Sequence, residues 1–283
     1  MRAVWLMVMM TAFPAMASGD EACDRLVAAL PHLSGGAPLK VKGTGDTYKS
    51  LFDGCDAGNG YDRKPLPVGH NGERPTCSDQ NMVAYLDRYP DGTINFSAKA
   101  AVDADGSPVG CGSGWPNQCG TWLTFDHGSA HPDVNAEETP FVVVPGNFVY
   151  REDKKPPVTL TSFQSDTHIR AGDLAVAVWD GKCSFGVVGD SGPYFRLGEI
   201  SLRSHVEFDN DQCEVKGQHP CQKISHHGNG ESIPSDVHYL IFPHSRPKPL
   251  LSQNVNDVSG KLARMKADKF IKDFSKDAAS GHR

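Results

Sequence analysis

Two carboxylates bracket a Gly/Pro turn in the stretch Val187 to Ser201, which reads V-V-G-D-S-G-P-Y-F-R-L-G-E-I-S. An apolar, β-branched run (Phe185, Val187, Val188) stops at Gly189-Asp190, and Gly198-Glu199 opens a second run, Ile200 to Leu202. Two strands joined around this turn would place Asp190 at the end of one and Glu199 at the start of the next, at one rim of a sheet. Two carboxyl groups facing one cleft, one protonated and one ionised, are what cleavage of a glycosidic bond uses. The competing account of the same residues is an acidic hairpin loop in water.

Gly189-Asp190-Ser191-Gly192-Pro193 also resembles the nucleophile block of trypsin-like serine proteases, short of one glycine. His131 and Asp173 even precede Ser191 in the right order. The spacing excludes this reading, because the few residues between Asp173 and Ser191 leave no room for most of a second barrel.

A second resemblance covers several blocks in order. Ala101-Val102-Asp103-Ala104-Asp105-Gly106-Ser107-Pro108, Thr139 to Pro145, Gly172-Asp173-Leu174-Ala175-Val176, the Val188 to Pro193 and Gly198 to Ser201 block, and His238 to Pro243 together resemble the chitosanases of glycoside hydrolase family 75. The resemblance spans about residues 93 to 245, and the block holding Asp190 and Glu199 is its most specific part. It implies an endo-acting enzyme that cleaves β-1,4 bonds between glucosamine units with inversion. In that scheme Asp190 and Glu199 are the catalytic pair; which is acid and which base stays open, and the working assignment takes Glu199 as general acid and Asp190 as base, with the nearby anion Asp173 helping to hold Glu199 protonated. Asp103, Asp105, Asp173, Trp115 and Tyr194 are the expected substrate-binding residues. No cofactor or metal is expected. Two alternatives stay open: a hydrolase of another amino-sugar polymer such as peptidoglycan, and a non-catalytic secreted binding or inhibitor protein.

The elements that must position these residues are legible as short runs. Thr93 to Val102 alternates, with Ile94, Phe96, Ala98, Ala100 and Val102 on one face and Asn95, Ser97 and Lys99 on the other. That pattern predicts a half-buried strand delivering Asp103 and Asp105 at its end. The D-A-D-G-S sequence there fails the calcium-loop pattern, since Gly114 stands at the twelfth position, and reads as a turn presenting carboxylates to a cleft or as a plain Asx turn. Phe141 to Val144, Leu174 to Trp179, Phe185 to Val188, Ile200 to Leu202 and Tyr239 to Phe242 are further compact apolar runs. The class is mainly β, a sandwich or small barrel; a six-stranded, double-psi-like barrel is the expectation for the family. Trp115, in a loop closed by cysteines, is a candidate sugar platform, whereas Trp122 within T-W-L-T-F reads equally well as a buried strand residue.

Around this core the chain divides into a signal peptide at residues 1–17, a loop-rich N-terminal extension at 18–92, a catalytic barrel at 93–250, and a C-terminal helix and tail at 251–283. Met1 to Ala17 carries Arg2, an apolar stretch and an Ala15-Met16-Ala17 cleavage signal, and is too short for a membrane anchor. A short helix is expected around Leu26, stopped by Pro31, and the Gly/Pro/Asp-rich stretch to Asn81 is expected to be peripheral. Leu262, Met265, Phe270 and Phe274 mark one face of an amphipathic helix over 258–274 that packs on the barrel.

The eight cysteines all follow the cleavage signal and lack any C-x-x-C, which favours up to four disulfides over zinc and implies an oxidising compartment. The chain is therefore expected to be secreted, to the exterior or to a periplasm. The formal net charge of −6 argues against nucleic acid as a partner and suits a polycationic polysaccharide such as chitosan. No membrane partner is expected, and the chain reads as a monomer. The histidines of 205–244 lack metal-ligand spacing and read as surface residues of a long loop. The Asn95-Phe96-Ser97 sequon falls inside a strand.

Overall fold

The apolar runs of the sequence become the staves of a closed barrel. The structure, a computed structural model, describes residues 20–56, 81–112, 119–146, 148–149, 158–159, 163–194, 196–225 and 233–280. Its strands are β1 (Ala37–Pro38), β2 (Tyr85–Arg88), β3 (Ile94–Asp103), β4 (Phe141–Pro145), β5 (Phe148–Val149), β6 (Val158–Thr159), β7 (Leu174–Trp179), β8 (Lys182–Gly192), β9 (Glu199–Ser201) and β10 (Ile233–Phe242). Its helices are α1 (Glu21–Ala29), α2 (Tyr48–Asp56), α3 (Pro108–Cys111), α4 (Phe163–Thr167), α5 (Leu202–Glu207) and α6 (Val255–Ser280).

In space the strands run β3, β10, β7, β8, β4, β9, and a β9–β3 pairing closes the ring; β2 and β1 extend the sheet beyond β3. The expected mainly β, six-stranded barrel is what the chain forms. It is mixed: β4–β8 and β3–β9 are parallel, and the other four pairings are antiparallel.

Nearly every run is apolar at consecutive positions because both faces are covered. Phe141 and Val143, Leu174, Val176 and Val178, Val187, and Leu240 and Phe242 share one core with Leu26 of α1 and Ala263, Ala267 and Phe270 of α6. This is the outer face. Their neighbours Val142 and Val144, Ala175 and Ala177, Val188, and Tyr239 and Ile241 join Phe96, Ala98, Ala100 and Ile200 in the second core, inside the ring. The period-two alternation of the strand thus divides each run between two cores. β3 departs from the half-buried expectation for the same reason, since Asn95 and Ser97 are also buried. Asn95 accepts a hydrogen bond from the Tyr85 hydroxyl, which leaves the sequon inaccessible.

The described part of the stretch expected to be peripheral, residues 35–56 and Asn81, is not peripheral. Leu39, Val41, Tyr48, Leu51 and Phe52 belong to the inner core, and buried Asn81 accepts from the Leu197 amide through its side chain and from the Lys99 amide through its carbonyl. Tyr48, Leu51, Phe52 and Cys55 form an i, i+3, i+4, i+7 stripe that a reading dominated by Gly and Pro overlooked. On α6 the buried line is Ala263, Ala267 and Phe270, and Met265 is exposed, because small residues let a helix lie close to a sheet. Disulfides Cys111–Cys119 and Cys213–Cys221 staple loops as expected, and Cys23–Cys183 ties α1 to β8. Cys77 lies outside the described residues. No helix among the described residues is long and apolar enough to cross a membrane.

Candidate active site

Asp190 and Glu199 are not partners in a hairpin. β4 lies between their strands, with Val143 registered to Asp190 on one side and to Glu199 on the other. Their Cα atoms therefore stand two strand spacings apart, roughly 9–10 Å. Between Val142 and Val143 the β8 register slips by one residue, so Gly189 is the bulge that advances Asp190. Only glycine fits there: a Cβ on Gly189 would lie 2.4 Å from Cγ of Phe141. Glu199 is delivered by Gly198, whose φ of +81° and close approach to the Lys99 carbonyl likewise exclude a side chain.

The parallel β3–β9 pairing brings a third strand end to the same place, with Ala101 opposite Glu199 and Asp103 opposite Ser201. The turn after β3 carries Asp105. One carboxylate oxygen from each of Asp103, Asp105 and Asp190 lies within 4.8 Å of the others. Asp103 accepts the Asp105 amide at 2.6 Å, the Asx turn among the alternatives read from D-A-D-G-S. The Asp190 Oδ1 accepts the amides of Trp122 at 2.7 Å and Ser191 at 2.8 Å. Arg196 brings a guanidinium 3.5 Å from Glu199 Oε1.

Burial of so many acids decides their protonation. Asp103 is pushed well above the usual carboxylate range, first by burial and then by the charges of Glu199, Asp190 and Asp105. Burial, the neighbouring Asp190 charge and a hydrogen bond to Asp190 raise Asp105 to about 8. Asp190 is raised by burial, but its two backbone donors and the hydrogen bond from Asp105 work in the opposite direction, toward the ionised form.

The three aspartates converge, but as a donor set they match calcium poorly, because the Asp190 Oδ1 and Asp103 Oδ1 already accept backbone amides. A calcium site uses six to eight free oxygens. In the second cluster, Asp211, Cys213 and His219, the sulfur is bound to Cys221 and is no thiolate ligand.

The remaining expected residues fare unequally. Asp173 is fully buried, and its oxygens accept the amides of Arg170, Ser245 and Arg246; it clamps the ends of β7 and β10 and offers nothing to a sugar. The negative neighbour of Glu199 is Asp103, not Asp173. Tyr194 is also buried, in the inner core, where burial and then the Asp166 charge push its phenol up to about 12, so it is no substrate platform. Asp103 is enclosed (5% exposed) and Asp190 and Glu199 nearly as much (8% and 7%), while Asp105 is partly open. Trp115 and the His226-His227 pair lie outside the described residues. Trp122 is partly buried against the inner core and contributes its amide. The histidines are not all on the surface: His205 is buried on α5, between the Ala101 carbonyl and Asn210.

Two contributors escaped the reading of the sequence. Arg196 lies in the turn between the two carboxylates, where its position alone was the signal. Asp133, which repels Asp190, comes from the loop beside the Asp105 turn, and no sequence pattern marks it. That loop lines a cleft of about 550 Å³, together with Gly106, Ser107, Phe125, His131 and Glu138. The cleft does not include the carboxylate group itself; it opens one residue beyond Asp105.

No protein-family model matches this chain, and no curated protein matches it.

Proposed function

We propose that the protein is an exported endo-acting glycoside hydrolase of a β-1,4-linked amino-sugar polymer, chitosan in the first place, acting with inversion. The observation that carries this reading is the placement of Asp190 and Glu199 on either side of Val143. Two strand spacings set their Cα atoms roughly 9–10 Å apart, a span that accommodates the carboxyl separation of about 6.5–9.5 Å typical of inverting pairs better than the about 5–5.5 Å of retaining ones. The block resemblance to family 75 chitosanases points the same way. Three disulfides among the described residues and the leader-like first seventeen residues support export.

In the proposed reaction, ionised Asp190 takes a proton from water as the water oxygen attacks the anomeric carbon. Glu199 gives its proton to the leaving glycosidic oxygen as the C–O bond breaks. One water is consumed, and exchange with solvent restores both carboxyl groups. The two backbone amides on Asp190 work against the burial that raises its carboxyl and favour the ionised form, which supports the base role for it. The cleft beyond Asp105, with Asp133 and Glu138, suits a cationic chain.

The test is reducing-end release from chitosan, chitin and peptidoglycan by the wild type, Asp190→Asn and Glu199→Gln. Activity on chitosan that both substitutions lower by about 10³-fold or more, with the variants folded, supports the reading. Activity confined to peptidoglycan would keep the carboxylates and replace the substrate. A folded protein inactive on all three would be a binding protein.

A further inference from the structure

The proposed reaction uses two carboxylates, yet two more acids share the same enclosure. We propose that Asp105 is a positioning residue for this reaction: its carboxyl group donates a hydrogen bond to Asp190 and thereby fixes Asp190 as the ionised, water-activating base. The inference rests on the glycoside hydrolase reading.

The geometry makes Asp105 the donor of the pair. Asp190 Oδ1 already accepts two backbone amides, at 2.7 and 2.8 Å, so its surroundings are built for an acceptor. Two carboxylates whose oxygens lie within 4.8 Å of each other, Asp190 buried and Asp105 half-buried, repel when both are ionised, and a single proton between them relieves the repulsion. That proton belongs on Asp105, whose side chain receives no comparable pair of amides among the described residues. Its backbone is pinned at both ends: Asp103 accepts the Asp105 amide, and the Asp105 carbonyl accepts the Ala136 amide at 3.3 Å. Asp105 is thus a short rigid arm aimed at Asp190. Burial and neighbouring charge act together with this geometry, keeping the Asp105 carboxyl protonated up to about pH 8.

The charged groups facing this contact come from every side: Asp103 from β3, Glu199 from β9, Arg196 from the turn before β9, and Asp133 from the loop beside the Asp105 turn. Of these only Arg196 is positive, and it favours ionised Asp105. Above about pH 8 the proton leaves, and Asp190 loses its donor and gains a like charge in its place. Activity should fall through that pH.

The experiment compares the pH dependence of kcat on chitosan for the full-length wild type, Asp105→Asn and Asp105→Ala, with folding checked by near-ultraviolet circular dichroism. Asparagine keeps a donor that cannot ionise. The expected result is that Asp105→Asn stays within about threefold of the wild type near pH 6 and loses the alkaline limb near 8, while Asp105→Ala loses about 10- to 100-fold in kcat with little change in KM. Carboxyl ¹³C NMR of the wild type and Asp190→Asn gives a readout independent of turnover: Asp105 should titrate near 8 in the first and at least about one unit lower in the second.

An alkaline limb unchanged in Asp105→Asn, equal damage from asparagine and alanine, or Asp105 titrating in the ordinary carboxylate range would overturn the inference alone. So would activity that a chelator abolishes and calcium restores, since the aspartates would then be ligands. A wild type inactive on chitosan would overturn the functional reading, and the role of Asp105 with it.

Discussion

Asp190 and Glu199 share one registered neighbour, Val143, from opposite edges of β4. A hairpin of β8 and β9 would have left the two acids side by side. Inserting β4 doubles their separation without moving either along its strand. The difference bears on the stereochemistry of the proposed reaction, because a water must fit between base and anomeric carbon for inversion.

The first product released from a β-linked chitosan oligomer should accordingly carry the α anomer. Proton NMR within the first minutes of hydrolysis, before mutarotation, reads this directly. A β-anomeric first product would mean that the carboxyl groups approach each other and that one of them is a nucleophile.

Gly198 sets where β9 begins. With φ at +81° and a Cβ position only 2.3 Å from the Lys99 carbonyl oxygen, Gly198→Ala must shift the backbone that carries Glu199. We expect a stability loss of at least about 2 kcal/mol. Activity should drop even at temperatures where thermal scans show the variant folded. A variant with wild-type melting temperature and turnover would mean that β9 is not held by this approach.

The cleft beyond Asp105 should act on substrate binding more than on turnover. Asp133→Asn and Glu138→Gln should each raise KM for chitosan by about two- to fivefold, the scale of a partly exposed ion pair. The effect should shrink in high salt. Steady-state kinetics at two ionic strengths checks both statements, and KM values equal to the wild type would place the substrate elsewhere.

His205 links the site to acid stability. Burial lowers its imidazole to about 4, against the pull of the Ala101 carbonyl, so the ring is mostly neutral in the folded protein at pH 5 while in the unfolded chain it is almost fully protonated. Its contribution is therefore complete above about pH 6.5 and lost as pH falls toward 4, a difference of up to about 3 kcal/mol. His205→Gln can keep both the donor to Ala101 and the acceptor for Asn210. Urea unfolding across pH 4 to 7 should show a shallower acid loss in that variant. An identical slope would assign the loss to other groups.

What local sequence determines here is the strands and the chemistry they deliver. Alternation in Thr93 to Val102, and compact apolar runs at Phe141, Leu174, Phe185 and Tyr239, mark their segments because β-branched and aromatic residues fit a covered pleated surface whatever lies beside them. The turn residues around Asp190 and Glu199 mark the end of one run and the start of another for equally local reasons, and the two close cysteine pairs can be read as loop staples. Pairing is not local. That β4 separates β8 from β9, that β3 closes on β9, and that Asp105 therefore meets Asp190 depend on contacts between residues far apart in the chain. Burial follows from those contacts. It removed Asp173 and Tyr194 from the expected site, turned Asp103 from a subsite into an enclosed acid, and drew the 37–56 segment into the core. Composition places a carboxylate or a tyrosine near the right loop; only the packed barrel decides whether water, a backbone amide or another acid stands opposite it, and that neighbour sets its charge.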